Sequence, residues 1–301
     1  MMNTQMISSH AFQVPFQGKM IYAESTYGRN GHVLMLHGGG KDRTVFYKYR
    51  ALLDASGIGT TLFDFVGHGE TGGDMHESSL FSRTAQAEAV IAFQGLPLTG
   101  CMGVSMGAYN ALQLSKRVRF ASLILMVPGV YSPPAYKVTF GPEFSAIIRQ
   151  ERSWAQTDAW DIAAEFTGNM LIIAAENDAI IPAEIPERLL SSAVGCRQKQ
   201  LLTIPGAGHN TIWQNLMLSD RLYEEVRSAF EGCLSHRKYG FAPVTDDPLN
   251  GFQQGARQNR AFPPHPSKNI SAGYAGREPG LLIYRCGYAN DTPAHPARFR
   301  L

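Results

Sequence analysis

Ser105 lies at the centre of Gly103-Val104-Ser105-Met106-Gly107, directly after an apolar run and directly before residues 108–114, which can start a helix. A serine hydroxyl attacks a carbonyl only if a neighbouring base takes its proton. The G-x-S-x-G spacing favours that chemistry because it describes a sharp, strained strand-to-helix turn that pushes the hydroxyl outward. Side chains on either flank of such a turn would collide with the adjoining strand and helix, so glycine is required there. The first amides of a helix have no internal partner, which leaves the Met106 N–H free to stabilise an oxyanion.

Three further segments supply the groups such a reaction needs. His37-Gly38-Gly39-Gly40 closes the apolar run His32–Leu36, and its glycines let the backbone approach a bound acyl group, with the Gly39 N–H as the second oxyanion donor. A phosphate-cradling loop is the competing reading, but the G-x-x-x-x-G-K-[ST] spacing is missing and Lys41-Asp42 does not restore it. Asp178 follows the apolar run 170–175 and precedes Ile181-Pro182, where a carboxylate projects into the crevice beyond a strand end. Glu176 is its rival and lies closer to the strand. His209, in Pro205-Gly206-Ala207-Gly208-His209-Asn210, follows the last apolar run. Imidazole is the side chain best suited to exchange a proton with serine near neutral pH.

Positioning these groups takes a particular set of elements. Between residues 10 and 206 short apolar runs alternate with longer stretches of helical spacing, the βα rhythm of a sheet with parallel strands. Runs 10–16 and 19–25, joined by Gln17-Gly18, predict an opening antiparallel hairpin. The central strands are expected at 32–36, 60–65, 98–104, 122–127, 170–175 and 200–204, and the helices at 44–55, 79–93, 106–116, 183–193 and 211–231. Residues 131–168 are too long for a simple crossover. They carry Tyr131, Tyr136, Phe140, Phe144, Trp154, Trp160 and Phe166, which predicts a small helical lid. In 235–301, Gly and Pro make up 15 of 67 residues and no periodicity persists, so this tail is expected to be disordered and the folded domain to span 10–234.

Composition narrows the alternatives. No apolar run approaches the ~18 residues of a membrane-spanning helix. Residues 1–10 lack a basic start followed by an apolar stretch, so a secretory signal is not expected and the cytoplasm is the expected location. Cys101, Cys196, Cys233 and Cys286 are too scattered for a disulfide framework or a metal site and are expected to be buried thiols. The net charge of +2 divides into +5 from Ser235 onward (9 Lys/Arg, 4 Asp/Glu) and −3 before it (18 against 21), which does not suggest nucleic acid as a partner.

On these motifs, residues 10–234 resemble the α/β-hydrolase superfamily, closest in style to its esterases and monoacylglycerol-lipase-like members. Each of Ser105, Asp178 and His209 follows a predicted strand, and that chain order is the superfamily's. Asp64-Phe65-Val66-Gly67-His68-Gly69-Glu70-Thr71 is similar to its D-x-x-G-x-G-x-S segment, with Thr71 in place of serine. His68 is then a turn residue. The resemblance implies a mostly parallel sheet flanked by helices, with a small helical lid inserted before the strand at 170–175. It further implies Ser105 as nucleophile, His209 as base, Asp178 orienting the histidine, and Gly39 and Met106 as oxyanion donors. Expected substrate contacts are Gly38, Gly40, Tyr131, Trp154 and Trp160. The substrate would be a small acyl compound, with no metal or organic cofactor. Thioesterase, peptidase, carbon–carbon hydrolase and hydroxynitrile lyase activities use the same three residues, and a ligand-binding or scaffold role belongs to a different class.

Overall fold

The computed structural model describes residues 9–235. The tail expectation, and the thiol of Cys286, lie outside these residues. Strands β1 (His10–Phe16) and β2 (Lys19–Ser25) form the antiparallel hairpin that the Gln17-Gly18 turn predicts, with Gln17 and Gly18 both at positive φ. Strands β3 (His32–Leu36), β4 (Gly59–Phe63), β5 (Gly100–Val104), β6 (Ser122–Met126), β7 (Asn169–Ala175) and β8 (Gln198–Ile204) follow. The order across the sheet is β1-β2-β4-β3-β5-β6-β7-β8, and β3 to β8 run parallel.

Parallel strands buried on both faces need a continuous apolar run, and β3, β6 and β7 are buried at every position. Their side chains alternate between two cores. Leu34, Leu36, Leu123, Leu125 and Ile172 face α2 (Leu80–Gln94), α3 (Met106–Ser115), α5 (Ala159–Glu165) and α6 (Glu184–Ser192). Val33, Met35, Ile124, Met126 and Ile173 face α1 (Tyr47–Ala55), α7 (Ile212–Leu216) and α8 (Asp220–Leu234). Among the described residues no helix is long and apolar enough to cross a membrane.

Three expectations are corrected in detail. The helix expected over 44–55 begins as a 3-10 turn, Arg43–Phe46, because Asp42 caps it through the Thr44 N–H. The helix expected over 211–231 is two helices, α7 and α8. Ser219 is extended and accepts from the Leu222 N–H, starting a new helix, while Met217 and Leu218 face solvent between them. Cys196 is only half-buried, unlike Cys101 and Cys233.

The insertion before β7 holds two helices, α4 (Pro142–Ile148) and α5. Helix α5 packs on α3 and α6, as a crossover helix does. Residues preceding it dock on the start of α2: the Phe81 N–H donates to the Tyr136 carbonyl and the Phe140 N–H to that of Ser78, each at 2.8 Å.

The turn after β4 is held by charge. Buried Asp64 accepts from the Arg43 N–H (2.7 Å), the Arg43 guanidinium (2.5 Å) and the Glu70 N–H (2.8 Å), and Arg43 also pairs with Glu24 and Glu70. A Cβ at Gly69 would stand 2.2 Å from the Asp64 carboxylate, so the second glycine of the segment makes room for that carboxylate. Removing one member of a buried ion pair leaves the other uncompensated. Arg43→Met is therefore expected to lower unfolding free energy by about 3–5 kcal/mol in urea titration; a loss under about 1 kcal/mol would show that Asp64 does not depend on it.

Candidate active site

Register determines what meets Ser105. Leu36 on β3 pairs with Gly103 on β5, so two residues further on Gly38 comes beside Ser105. A Cβ added to Gly38 would lie 3.3 Å from the Ser105 Cβ. Ser105 itself has φ 54° and ψ −118°, a left-handed conformation that costs a non-glycine residue about 1–3 kcal/mol. It is held there by its N–H on the Met126 carbonyl (2.9 Å) and by its own carbonyl, which accepts from Ala108 (3.0 Å) and Gly129 (3.1 Å). The flanking glycines answer to sterics: a Cβ at Gly107 would stand 2.0 Å from the Leu36 carbonyl oxygen, and one at Gly103 would stand 2.3 Å from that of Gly107.

Asp178 and His209 follow β7 and β8, two and three strand positions from β5, about 10 and 14 Å away at the usual spacing. Their loops must lean back over the rim. The His209 loop is tied down by the Glu176 carboxylate, which accepts from the Gly206 N–H (2.7 Å), and by the Asn177 N–H on the Ala207 carbonyl (2.8 Å). Glu176, the rival carboxylate, thus braces the loop. Asp178 accepts from the N–H groups of Ile180 and Ile181 through Oδ1, both at 2.9 Å, and faces His209 Nδ1 at 3.1 Å from Oδ1 and 2.9 Å from Oδ2. His209 Nε2 lies 3.1 Å from Ser105 Oγ. A carboxylate can only accept, so the ring proton sits on Nδ1 and Nε2 presents its lone pair to the hydroxyl.

Beside this chain lies a second polar cluster. His37 is fully buried; its Nε2 accepts from the Phe65 N–H (3.1 Å), which puts its proton on Nδ1, and Nδ1 donates to the Gly38 carbonyl (2.8 Å). Burial, then the charge of Arg83, holds its pKa well below the usual histidine value. Arg83, also fully buried, directs Nη1 at the same carbonyl (3.4 Å) and at Met106 Sδ (3.4 Å). Two donors on the Gly38 oxygen fix that peptide, and in a trans peptide the Gly39 N–H points the opposite way. Among the described residues neither the Gly39 N–H nor the Met106 N–H has a hydrogen-bond partner. Gly40 is open: nothing would meet a Cβ there.

The other expected contacts are placed as follows. The Tyr131 ring meets Tyr109 edge-on at 5.4 Å, and a Cβ at Gly129 would lie 3.1 Å from its hydroxyl and 3.5 Å from the Ser105 carbonyl. Burial pushes its pKa up to about 12. Trp154 stacks under Arg152, and Trp160 packs under Arg188 with its indole N–H on the Ala155 carbonyl (3.2 Å). His68 faces Arg83: its Nε2 accepts from Nη2 at 2.7 Å, and burial and the Arg83 charge push its pKa down to about 4. Arg83 is the residue that sequence reasoning missed. Its signal is position, since Leu80, Arg83, Ala87 and Val90 share one buried face of α2.

With this geometry in place, relatives can be compared. Residues 33–171 match the model of the Alpha/beta hydrolase family. Two uncharacterised proteins from strains of Mycobacterium tuberculosis are each 25% identical over 198 residues, 64% of this chain and 68% of theirs. Among solved structures, an esterase of Pyrococcus furiosus superposes with a TM-score of 0.58 at 15% identity, covering 76% of this chain and 94% of that one. A monoacylglycerol lipase of Paleococcus ferrophilus superposes with a TM-score of 0.55 at 18% identity, covering 71% and 98%. At these identities the structural likeness is one of fold. The chain has the α/β-hydrolase fold, and the family's model matches it over residues 33–171.

Two stability measurements test this site. Ser105→Gly relieves the positive φ and is expected to raise unfolding free energy by about 1 kcal/mol; a loss of stability would show that the turn is unstrained. His32 and His68, both held near 4 by burial, and His37, held well below the usual histidine value, stay neutral in the fold while their unfolded forms take up protons below about 6.5. The unfolded chain therefore binds more protons as pH falls, and stability is lost from about pH 6.5 toward 4. The urea midpoint is expected to drop between pH 7 and pH 5, and a constant midpoint would contradict the neutral assignments.

Proposed function

We propose that the chain is a serine hydrolase that cleaves a carboxylic ester, or a related acyl compound, through an acyl-enzyme intermediate. The observation that carries this reading is the hydrogen-bonded order hydroxyl, imidazole, carboxylate at the C-terminal rim of a parallel sheet. Ser105 Oγ attacks the acyl carbonyl while His209 Nε2 takes its proton. Asp178 holds the ring tautomer and stabilises the imidazolium. The carbonyl oxygen, now an oxyanion, is received by the N–H groups of Gly39 and Met106, preorganised and left without other partners. His209 then gives its proton to the departing alcohol, and water, activated by the same imidazole, releases the acid from Ser105.

The reading passes the acyl group over Gly38 and Gly40, where the absence of side chains admits it. Of the aromatic residues before β7, Tyr131 has the position, beside Gly129 and the Ser105 carbonyl, that supports a substrate contact. Residues 131–148 act in this reading as the lid.

Hydrolysis of p-nitrophenyl butyrate tests the proposal. Ser105→Ala and His209→Ala are each expected to cut kcat/KM by roughly 10³-fold or more while circular dichroism and melting remain those of a folded chain. Undiminished turnover in folded Ser105→Ala, or an inert wild-type protein, would favour a binding or scaffold role instead.

A further inference from the structure

The buried arginines differ in one respect. Arg43 pairs with Glu24, Asp64 and Glu70, and Arg50 pairs with Glu24. Arg83 is buried more completely than either, yet no carboxylate among the described residues pairs with it. Its neighbours are neutral: the Gly38 carbonyl, His68 Nε2, Met106 Sδ and the ring faces of Phe65 (4.4 Å) and Phe140 (5.2 Å). Its Nε–H has no acceptor among the described residues. A buried cation without a counter-charge is costly, and a guanidinium is built to receive a carboxylate on two parallel N–H groups.

Its location says where the missing anion would come from. The guanidinium contacts the Gly38 carbonyl and the side chain of Met106, the residue that follows Ser105. Its Sδ covers Nη1, and its Cε and Sδ lie 3.2 and 3.6 Å from where a Cβ of Gly39 would be. A thioether is a weak acceptor on a flexible stem, so a bound group can displace it. Moving Met106 aside joins the space over Gly39 to Nη1 of Arg83.

We propose that Arg83 recognises a carboxylate on the substrate, so that the preferred substrate of this site is an acyl compound carrying a free carboxylate. The proposal rests on the hydrolase reading for its chemistry and on the unpaired guanidinium for its charge. A neutral ester brings Arg83 no partner; an anionic one supplies the counter-charge that the described residues do not.

Calorimetric titration of folded Ser105→Ala with monomethyl glutarate, an anion at pH 7, and with neutral dimethyl glutarate tests this without turnover. The monoanion is expected to bind about tenfold or more tightly than the diester. Arg83→Gln in the same background is expected to abolish the difference, as is Arg83→Met, which keeps the packing against Phe65 and Phe140. Equal affinities in the protein that retains Arg83, undetectable binding of the monoanion, or a preference that survives loss of Arg83 would each overturn the proposal. Turnover of neutral p-nitrophenyl butyrate and of anionic mono-p-nitrophenyl glutarate by wild-type protein is read in parallel. Turnover of either ester without anion preference overturns the Arg83 assignment alone, and anion preference with turnover of neither ester overturns the hydrolase reading alone.

Discussion

The backbone of Ser105 is held where a serine does not rest unaided, and most of the surrounding architecture serves that constraint. Its positive φ turns the hydroxyl outward at the start of α3. The turn fits only because Gly103 and Gly107 let strand β5, helix α3 and the end of β3 approach to distances that exclude a Cβ. The parallel register then brings the His37–Gly40 loop beside the serine without any further device. Strain of this kind persists where packing over-determines it, and here the two apolar cores on either face of the sheet provide the packing.

Around that turn the polar groups divide into two sets with different logic. Asp64, Arg43, Glu24 and Arg50 form a buried network in which cations face carboxylates, and it anchors the loop that carries His68. His37, His68 and Arg83 form a cluster in which, among the described residues, a cation faces only neutral acceptors. Both rings stay neutral because burial and a nearby guanidinium oppose a second charge. The cluster also orients the Gly38–Gly39 peptide, so one arrangement both fixes a backbone donor and leaves, next to Met106, a cation that no carboxylate among the described residues pairs with.

Much of this is legible in the sequence, for physical reasons that can be named. The hairpin at β1 and β2 and the turn at Ser105 are readable because Gln17-Gly18 and the paired glycines at 103 and 107 encode backbone angles and close approaches directly. The position of Asp178 is readable because it follows an apolar run long enough to be a buried strand, and that of His209 because it follows the partly apolar edge strand β8 and a Pro-Gly turn. The break between α7 and α8 is half-hidden: Ile212 and Leu216 on one side, and Leu222, Val226 and Phe230 on the other, each keep helical spacing, and only the six-residue step between the sets marks where the Ser219 cap restarts the helix. The role of Glu176 is hidden too, because a brace to the Gly206 N–H depends on loop geometry. Arg83 is half-legible: a charge on the apolar stripe of α2 is visible as a pattern, but its lack of a counter-charge emerges only once tertiary neighbours are known.

The central claim is that His209 makes Ser105 a nucleophile. Incubation of the full chain with a fluorophosphonate, followed by proteolysis and mass analysis, tests it most directly. The account predicts one adduct, on the peptide containing Ser105, and its loss in folded His209→Gln. A chain that takes up no probe, takes it up elsewhere, or labels equally well without the imidazole would contradict it.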